Sequence, residues 1–185
     1  MARNKNDKKD KQKTDFRWLL LVIVLSFVIS FGMALISELI IPNSFITISI
    51  FLVLIFIFLG IIFDMIGLAV ATADSKVFHS MSTKNVKGAK QAIIFINNKD
   101  RVASILNDVV GDICGVVSGS CGLAISLKLG SLMGYDKILT TVIVTSIISA
   151  LTIGGKAFGK TIAINNCNTI VFEFSKIVNL FKKEK

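Results

Sequence analysis

A chain of 185 residues that is 53% hydrophobic, with a mean hydropathy of +0.74, is too apolar for an ordinary soluble domain and reads as a membrane protein. Its formal charge is +9, from 21 Lys and Arg against 12 Asp and Glu. These charges stand in blocks between apolar runs, so orientation in a bilayer accounts for them, and nucleic acid is not expected as a partner.

Residues 1–17, MARNKNDKKDKQKTDFR, form a basic tail expected to be solvated and disordered. Trp18 to Ile41 is a run of 24 residues whose only charge is Glu38. A bilayer core needs about 20 apolar residues, whereas the apolar region of a signal peptide is about 7–15, so this run is read as a retained anchor. Pro42-Asn43-Ser44 signals a turn, and Pro42 is the only proline, so later helices run uninterrupted. The second run, Phe45 to Ala73, is apolar except for Asp64. A polar segment, Asp74 to Arg101, follows. The third run, Val102 to Leu127, contains Asp108 and Asp112, and a short turn at residues 130–137 leads to the fourth, Ile138 to Phe158, which is apolar until Lys156.

The fold class expected is therefore all-α: four transmembrane helices with cytoplasmic, juxtamembrane amphipathic helices. The tail carries seven Lys and Arg, the 74–101 segment six and the residues from Lys160 five, against Lys128 and Lys137 in the other two loops. The positive-inside rule places both termini and the middle segment in the cytoplasm of a multi-pass cell-membrane protein. In residues 161–185, Ile170, Val171, Phe174, Ile177, Val178 and Phe181 recur with helical period, apart from Glu173, Lys176, Lys182 and Lys183. This basic amphipathic helix suits either the membrane surface or packing against the middle segment, and the two are compatible.

Residues 154–161, GGKAFGKT, match the phosphate-cradling pattern G-x-x-x-x-G-K-[ST]. Such a loop joins a short buried strand to a helix. The apolar run before Gly154 is too long for that strand, and no acidic residue follows a short strand to serve Mg²⁺, so no nucleotide is expected there. Cys114, Cys121 and Cys167 lack metal-ligand spacing and read as reduced thiols. The single His79, beside Ser80, reads as a surface residue. No nucleophile–base pair is present, so the chain is not expected to be an enzyme.

Ionisable residues inside spans are costly and mark functional sites by default. Asp64 and Lys156 lie about 28 and 27 Å from the outer ends of their spans at the helical rise per residue. Asp108 and Asp112 enter from the cytoplasmic side and, at i and i+4, share a face of a regular helix. All four fall in the inner part of the bilayer. Three carboxylates there suit a hard cation, with Asn107 as a further oxygen. Alternatively, Lys156 holds one or two of the acids in a structural lock, or Asp108 and Lys156 reach toward water. Gly111, Gly115 and Gly119 recur every fourth residue, with Ser118 and Gly122 as a second pair, and predict close helix packing.

Two stretches carry a family resemblance. The segments IIFDMIGLAVATADSKVFHSM and KGAKQAIIFINNKDRVASILNDVVGD, and then ALTIGGKAFGKTIAINNCNTIV, resemble the membrane domain of the CNNM/CorB/CorC family of Mg²⁺ and Co²⁺ transporters over about residues 50–180. The likeness covers a small-residue-rich helix, an Asn-x-Asp-Arg segment and the Gly-Glu-x-x-Pro-Lys-x-x-Ala segment. It implies a membrane domain over 45–160, with spans 45–73, 102–127 and 138–158 and a cytoplasmic segment 74–101, and makes the helix at 18–41 an addition. The family's paired CBS modules have no counterpart in these residues. The resemblance implies divalent-cation transport, Mg²⁺ as the ion handled and a homodimer in the bilayer. The family's Ser ligand falls near Asp64, its Asn ligand around Asp108 to Asp112, its Glu ligand on Lys156 and its Pro on Gly159. Lysine at the acidic position puts a tethered cation where the metal belongs. The alternative is thus a non-transporting structural or regulatory membrane protein in which Lys156 replaces the metal.

Overall fold

The computed structural model describes residues 16–40, 45–134 and 136–182. Residues 1–15 of the expected tail and the turn at Pro42-Asn43-Ser44 lie outside the described residues, as do the side chains of Glu38, Phe181 and Lys182 and all of Lys183. The elements are α1 (Phe16–Ile40), α2 (Ile46–Thr72), α3 (Ser75–Thr83), α4 (Ala89–Asn97), α5 (Lys99–Ser104), a π-helical segment (Ile105–Gly111), α6 (Asp112–Met133), α7 (Lys137–Asn165) and α8 (Cys167–Lys182). The described residues contain no strand. Four stretches are long and apolar enough to cross a membrane: Phe16–Ser37, Ile46–Thr72, Lys99–Leu132 and Lys137–Asn165. The fold is all-α and of membrane type.

Local chemistry sets the breaks between helices. The Asp74 carboxylate accepts a 3.0 Å bond from the Lys76 backbone N–H, which caps the start of α3. Gly134 ends α6 with φ +70°, where a glycine costs least. The Asp136 carboxylate accepts from the Ile138 N–H at 2.8 Å and starts α7. The connection expected over 130–137 is therefore shorter, because α6 continues to Met133. Helix α7 likewise runs beyond Phe158 to Asn165, carrying GGKAFGKT within it.

Two cores hold the molecule. The first joins the spans through Val53, Phe56, Ile57, Val109, Ile113, Val117, Cys121, Ile125 and Ile148, with Val22, Leu25, Ile29 and Met33 of α1 packed on its edge. Between lipid-embedded helices this contact gains mainly from close packing, because lipid tails are as apolar as the side chains. Hydroxyls there bond back into their own helices, as Ser118 to the Gly115 carbonyl at 2.8 Å and Thr152 to the Ile148 carbonyl at 2.8 Å. Ser126 and Thr141 bond across α6 and α7 at 3.0 Å.

The second core lies at one end of the bundle. Ala69 and Val70 of α2, Phe78 of α3, Ala92 and Ile96 of α4, Ala163 of α7 and Val171 of α8 meet there. Helix α8 packs on α2 and α4, and the Phe95 and Phe174 rings lie 5.4 Å apart. Of the two placements open to this amphipathic helix, packing on the middle segment is the one observed, and Ile177 and Leu180 stay exposed on its outer face. The Arg101 guanidinium lies 5.1 Å from the Trp18 ring centroid. That contact puts the start of α1 at this same end, with the middle segment and α8.

Candidate functional site

The site is built where α2 crosses the π-helical segment. Gly60, Asp64 and Gly67 stand at i, i+4 and i+7 on one face of α2, and all three are buried. At Gly60 an added Cβ would sit 3.0 Å from Cys114 Cβ and 3.3 Å from the Gly111 carbonyl oxygen. At Gly67 it would collide with the side-chain oxygen of Asn107. Glycines on both sides of the acid thus bring the two backbones together, and the acid is enclosed between them. Asp64 is 7% exposed, and Gly111 of the facing segment lies against its Cβ.

Two oxygens at this contact are buried without a hydrogen-bond partner among the described residues, Oδ2 of Asp64 and Oδ1 of Asn107. An unpaired buried acceptor costs about 1–3 kcal/mol, and more when charged. A water, a cation that takes the oxygen lone pairs, or a proton on the acid would satisfy such oxygens. The π-helical segment is what presents Asn107. Its bonding runs wider than an α-helix, with the Asp112 N–H reaching the Asn107 carbonyl five residues back. Such insertions are frequent at functional sites.

The other charges sort differently. Lys156 Nζ donates to Asp112 Oδ1 at 2.8 Å, bridging α7 and α6. The lysine side chain is largely covered, at 19% exposure, while that of Asp112 is 66% exposed and lies on the outside of the bundle. Asp108 is exposed and has no partner among the described residues. Asp64, Asp108 and Asp112 do not gather as a three-acid centre: among the described residues no three of His, Cys, Asp and Glu form a group that could hold a metal. Asp64 is buried between α2 and the π-helical segment, whereas Asp108 and Asp112 are both exposed and Lys156 holds Asp112 toward α7.

The glycine row also divides. Gly111 packs on α2, Gly115 approaches Thr152 of α7, and Gly119 has nothing within 4 Å of an added Cβ. Gly155 and Gly159, inside GGKAFGKT, press on Ile61 of α2. Those residues are a helix-packing surface with backbone committed to the helix, and the Thr161 hydroxyl bonds back to the Ala157 carbonyl at 3.4 Å. Lys160 is exposed. Cys114 and Cys121 are buried, Cys167 is half-buried, and all three are free thiols. His79 is exposed on α3.

Sequence reasoning named Asp64 and set Asn107 beside it as a further oxygen, but passed over Gly60 and Gly67. Their signal was present: two glycines and an acid at helical spacing in an otherwise large-residue span. Comparison with known proteins finds no family model that matches the chain, and no match among curated proteins or solved structures.

Proposed function

We propose that this is a membrane protein of cation handling, related in function to the CNNM/CorC-type Mg²⁺ and Co²⁺ transporters, with the ion held at Asp64 and Asn107. One observation carries the reading: the unpartnered oxygens of a carboxylate and an amide, buried where α2 meets a π-helical segment. Mg²⁺ commonly keeps several waters and takes one or two carboxylates, so one acid and one amide oxygen fit a partly hydrated ion. The ion enters from the cytoplasm, and that side is assigned from the basic blocks at the bundle end where α1 starts and α8 lies. Asp108, exposed near the cytoplasmic start of its span, attracts cations to that entrance.

The test is flux. Purified protein in liposomes carries Mg²⁺ or Co²⁺ above the rate of protein-free liposomes, and Asp64→Asn abolishes it. Wild-type flux no faster than protein-free liposomes sinks the transport reading.

A second reading is favoured by the Lys156–Asp112 bond. Here Lys156 is a permanent cation in place of a metal, and the chain is a non-transporting structural or regulatory membrane protein. It requires that Lys156→Ala lower the melting temperature while metal leaves the wild type unaffected in both melting and flux.

A further inference from the structure

The bundle end where α3, α4 and α8 meet carries a second polar feature, independent of the ion reading. A cavity of about 210 Å³ opens between the α3–α4 turn and α8, lined by Ser82, Asn85, Lys87, Lys90, Gln91 and Asn179. None of these is acidic. Lys87 and Lys90 are exposed and have no hydrogen-bond or ion-pair partner among the described residues. The acid of neighbouring α8, Glu173, is already bonded to Lys176 at 2.8 Å. The cavity therefore offers two uncommitted ammonium groups, three side-chain amides and a hydroxyl.

The turn that shapes it is fixed. Asn85 has φ +54° and Gly88 φ +92°, two left-handed positions within four residues. An added Cβ at Gly88 would lie 3.3 Å from the backbone nitrogen of Lys176, so the turn is held against α8 itself. Lys87 thus projects from a braced turn and Lys90 from the first turn of α4, which lowers the ordering cost of binding. Apolar side chains are exposed on the two helices that frame the cavity: Ile177 and Leu180 of α8 are 52% and 68% exposed, and Ile94 of α4 is 47% exposed. Exposed apolar side chains on helices that frame uncommitted lysines, at the bundle end reached from the α2 span through α3, match the boundary of a bilayer.

We propose that this cavity binds a phosphate group, with Lys87 and Lys90 as its cations and Asn85, Gln91 and Asn179 as neutral donors. Lysine ammonium groups bind phosphate as point charges, and the amides supply N–H donors to its oxygens. The phosphate comes either from an anionic lipid headgroup or from a soluble phosphate, and the chemistry at the cavity is the same for both.

The experiment uses the full chain in phosphatidylcholine nanodiscs. Three probes are added separately: phosphatidic acid, phosphatidylglycerol and inorganic phosphate in solution. Lipid retention is read by native mass spectrometry and phosphate binding by calorimetry. Retention of phosphatidic acid above phosphatidylglycerol assigns a headgroup phosphate, and saturable binding of inorganic phosphate assigns the soluble source. In either arm Lys87→Gln/Lys90→Gln weakens binding by about tenfold or more. The control pair Lys76→Gln/Lys160→Gln removes the same charge from the same end of the bundle and leaves binding within about twofold. Asn179→Leu, which keeps every charge, also weakens it. The proposal is overturned if none of the three probes binds, or if both lysine pairs reduce binding equally, which would make the effect bulk surface charge.

Discussion

Lys156 Nζ lies 2.8 Å from Asp112 Oδ1 and ties α7 to α6 on the outer side of the bundle. The lysine is the covered partner and the aspartate the exposed one, so in a bilayer Asp112 faces lipid or headgroup with its charge balanced by one bond. An unbalanced acid within a span costs about 2.5–3.5 kcal/mol at the bilayer centre, and less toward the interface. Lys156→Ala therefore lowers stability in lipid by about 2 kcal/mol, and Asp112→Ala/Lys156→Ala recovers most of the loss. Thermal melting of the three proteins in nanodiscs checks this. Equal losses from the single and double variants would show that the residues contribute by packing alone.

Gly60 and Gly67 are the two glycines of α2 at which an added methyl group meets the facing segment. At Gly60 the obstacles are Cys114 Cβ and a backbone carbonyl, neither of which is the far end of a flexible chain. Gly60→Ala is expected to cost about 1–3 kcal/mol by overpacking. Gly67→Ala pushes the Asn107 amide aside and so removes an oxygen from the proposed ion site. Gly119→Ala meets nothing within 4 Å and gains up to about 1 kcal/mol from better helix propensity. A strong loss at Gly119 in the melting assay would instead show that a second copy covers it.

The four spans were legible because a bilayer demands length and apolarity together, and both can be counted along the chain. The site was half legible. Asp64 stood out as the only charge in its run, and its burial followed from that isolation. Asp108 and Asp112 are both exposed and do not join the buried Asp64, and the side-chain oxygen that meets α2 comes instead from Asn107 of the π-helical residues 105–111. Nothing in the composition of ILNDVVG announces the wider turn. The spacing of the glycine row predicts close packing without naming the partner, and Gly111 and Gly115 meet different neighbours while Gly119 meets none among the described residues. Spacing reports which residues share a side, and the partner depends on where the other helices pass.

Nucleotide should leave the protein unaffected. Residues 154–161 have their backbone committed to α7, and Gly155 and Gly159 are used in packing on Ile61. Mg-ATP is expected to give no shift in melting temperature beyond that of MgCl₂ at the same concentration. Lys160→Ala is expected to leave both values unchanged. A nucleotide-specific shift abolished by Lys160→Ala would require this helix to unwind.

The two cores respond to truncation for different reasons. Phe78 is fully buried among α2, α4 and α8 at the bundle end, where its alternative environment is water or headgroup. Its burial is stabilised by the hydrophobic effect, and Phe78→Ala is expected to cost about 3–5 kcal/mol. A truncation such as Val53→Ala within the spans loses only packing contacts, so its cost is smaller, at about 1–2 kcal/mol. Protease susceptibility of the 74–101 segment should rise sharply in Phe78→Ala and remain at the wild-type level in Val53→Ala. Similar cleavage of both variants would mean that the bundle end does not fold on its own core.

Asp64 gives the sharpest separation between a ligand site and a structural acid. Its Oδ2 is buried with no partner among the described residues, so in the absence of metal the carboxylate is a liability. Asp64→Asn keeps the shape and removes the charge, and in chelator-treated detergent it should melt at or above the wild type, by up to about 2 kcal/mol. Adding Mg²⁺ or Co²⁺ reverses the order. A ligand at a hundred times its Kd stabilises the protein that binds it by about 2.7 kcal/mol, so wild type should gain and Asp64→Asn should not. Asn107→Leu removes the second oxygen and should reduce the metal-dependent gain while leaving the acid in place. If the metal shifts all three proteins equally, the ion acts elsewhere. If Asp64→Asn destabilises the metal-free protein, the carboxylate has a structural partner and the two buried oxygens do not make an ion site.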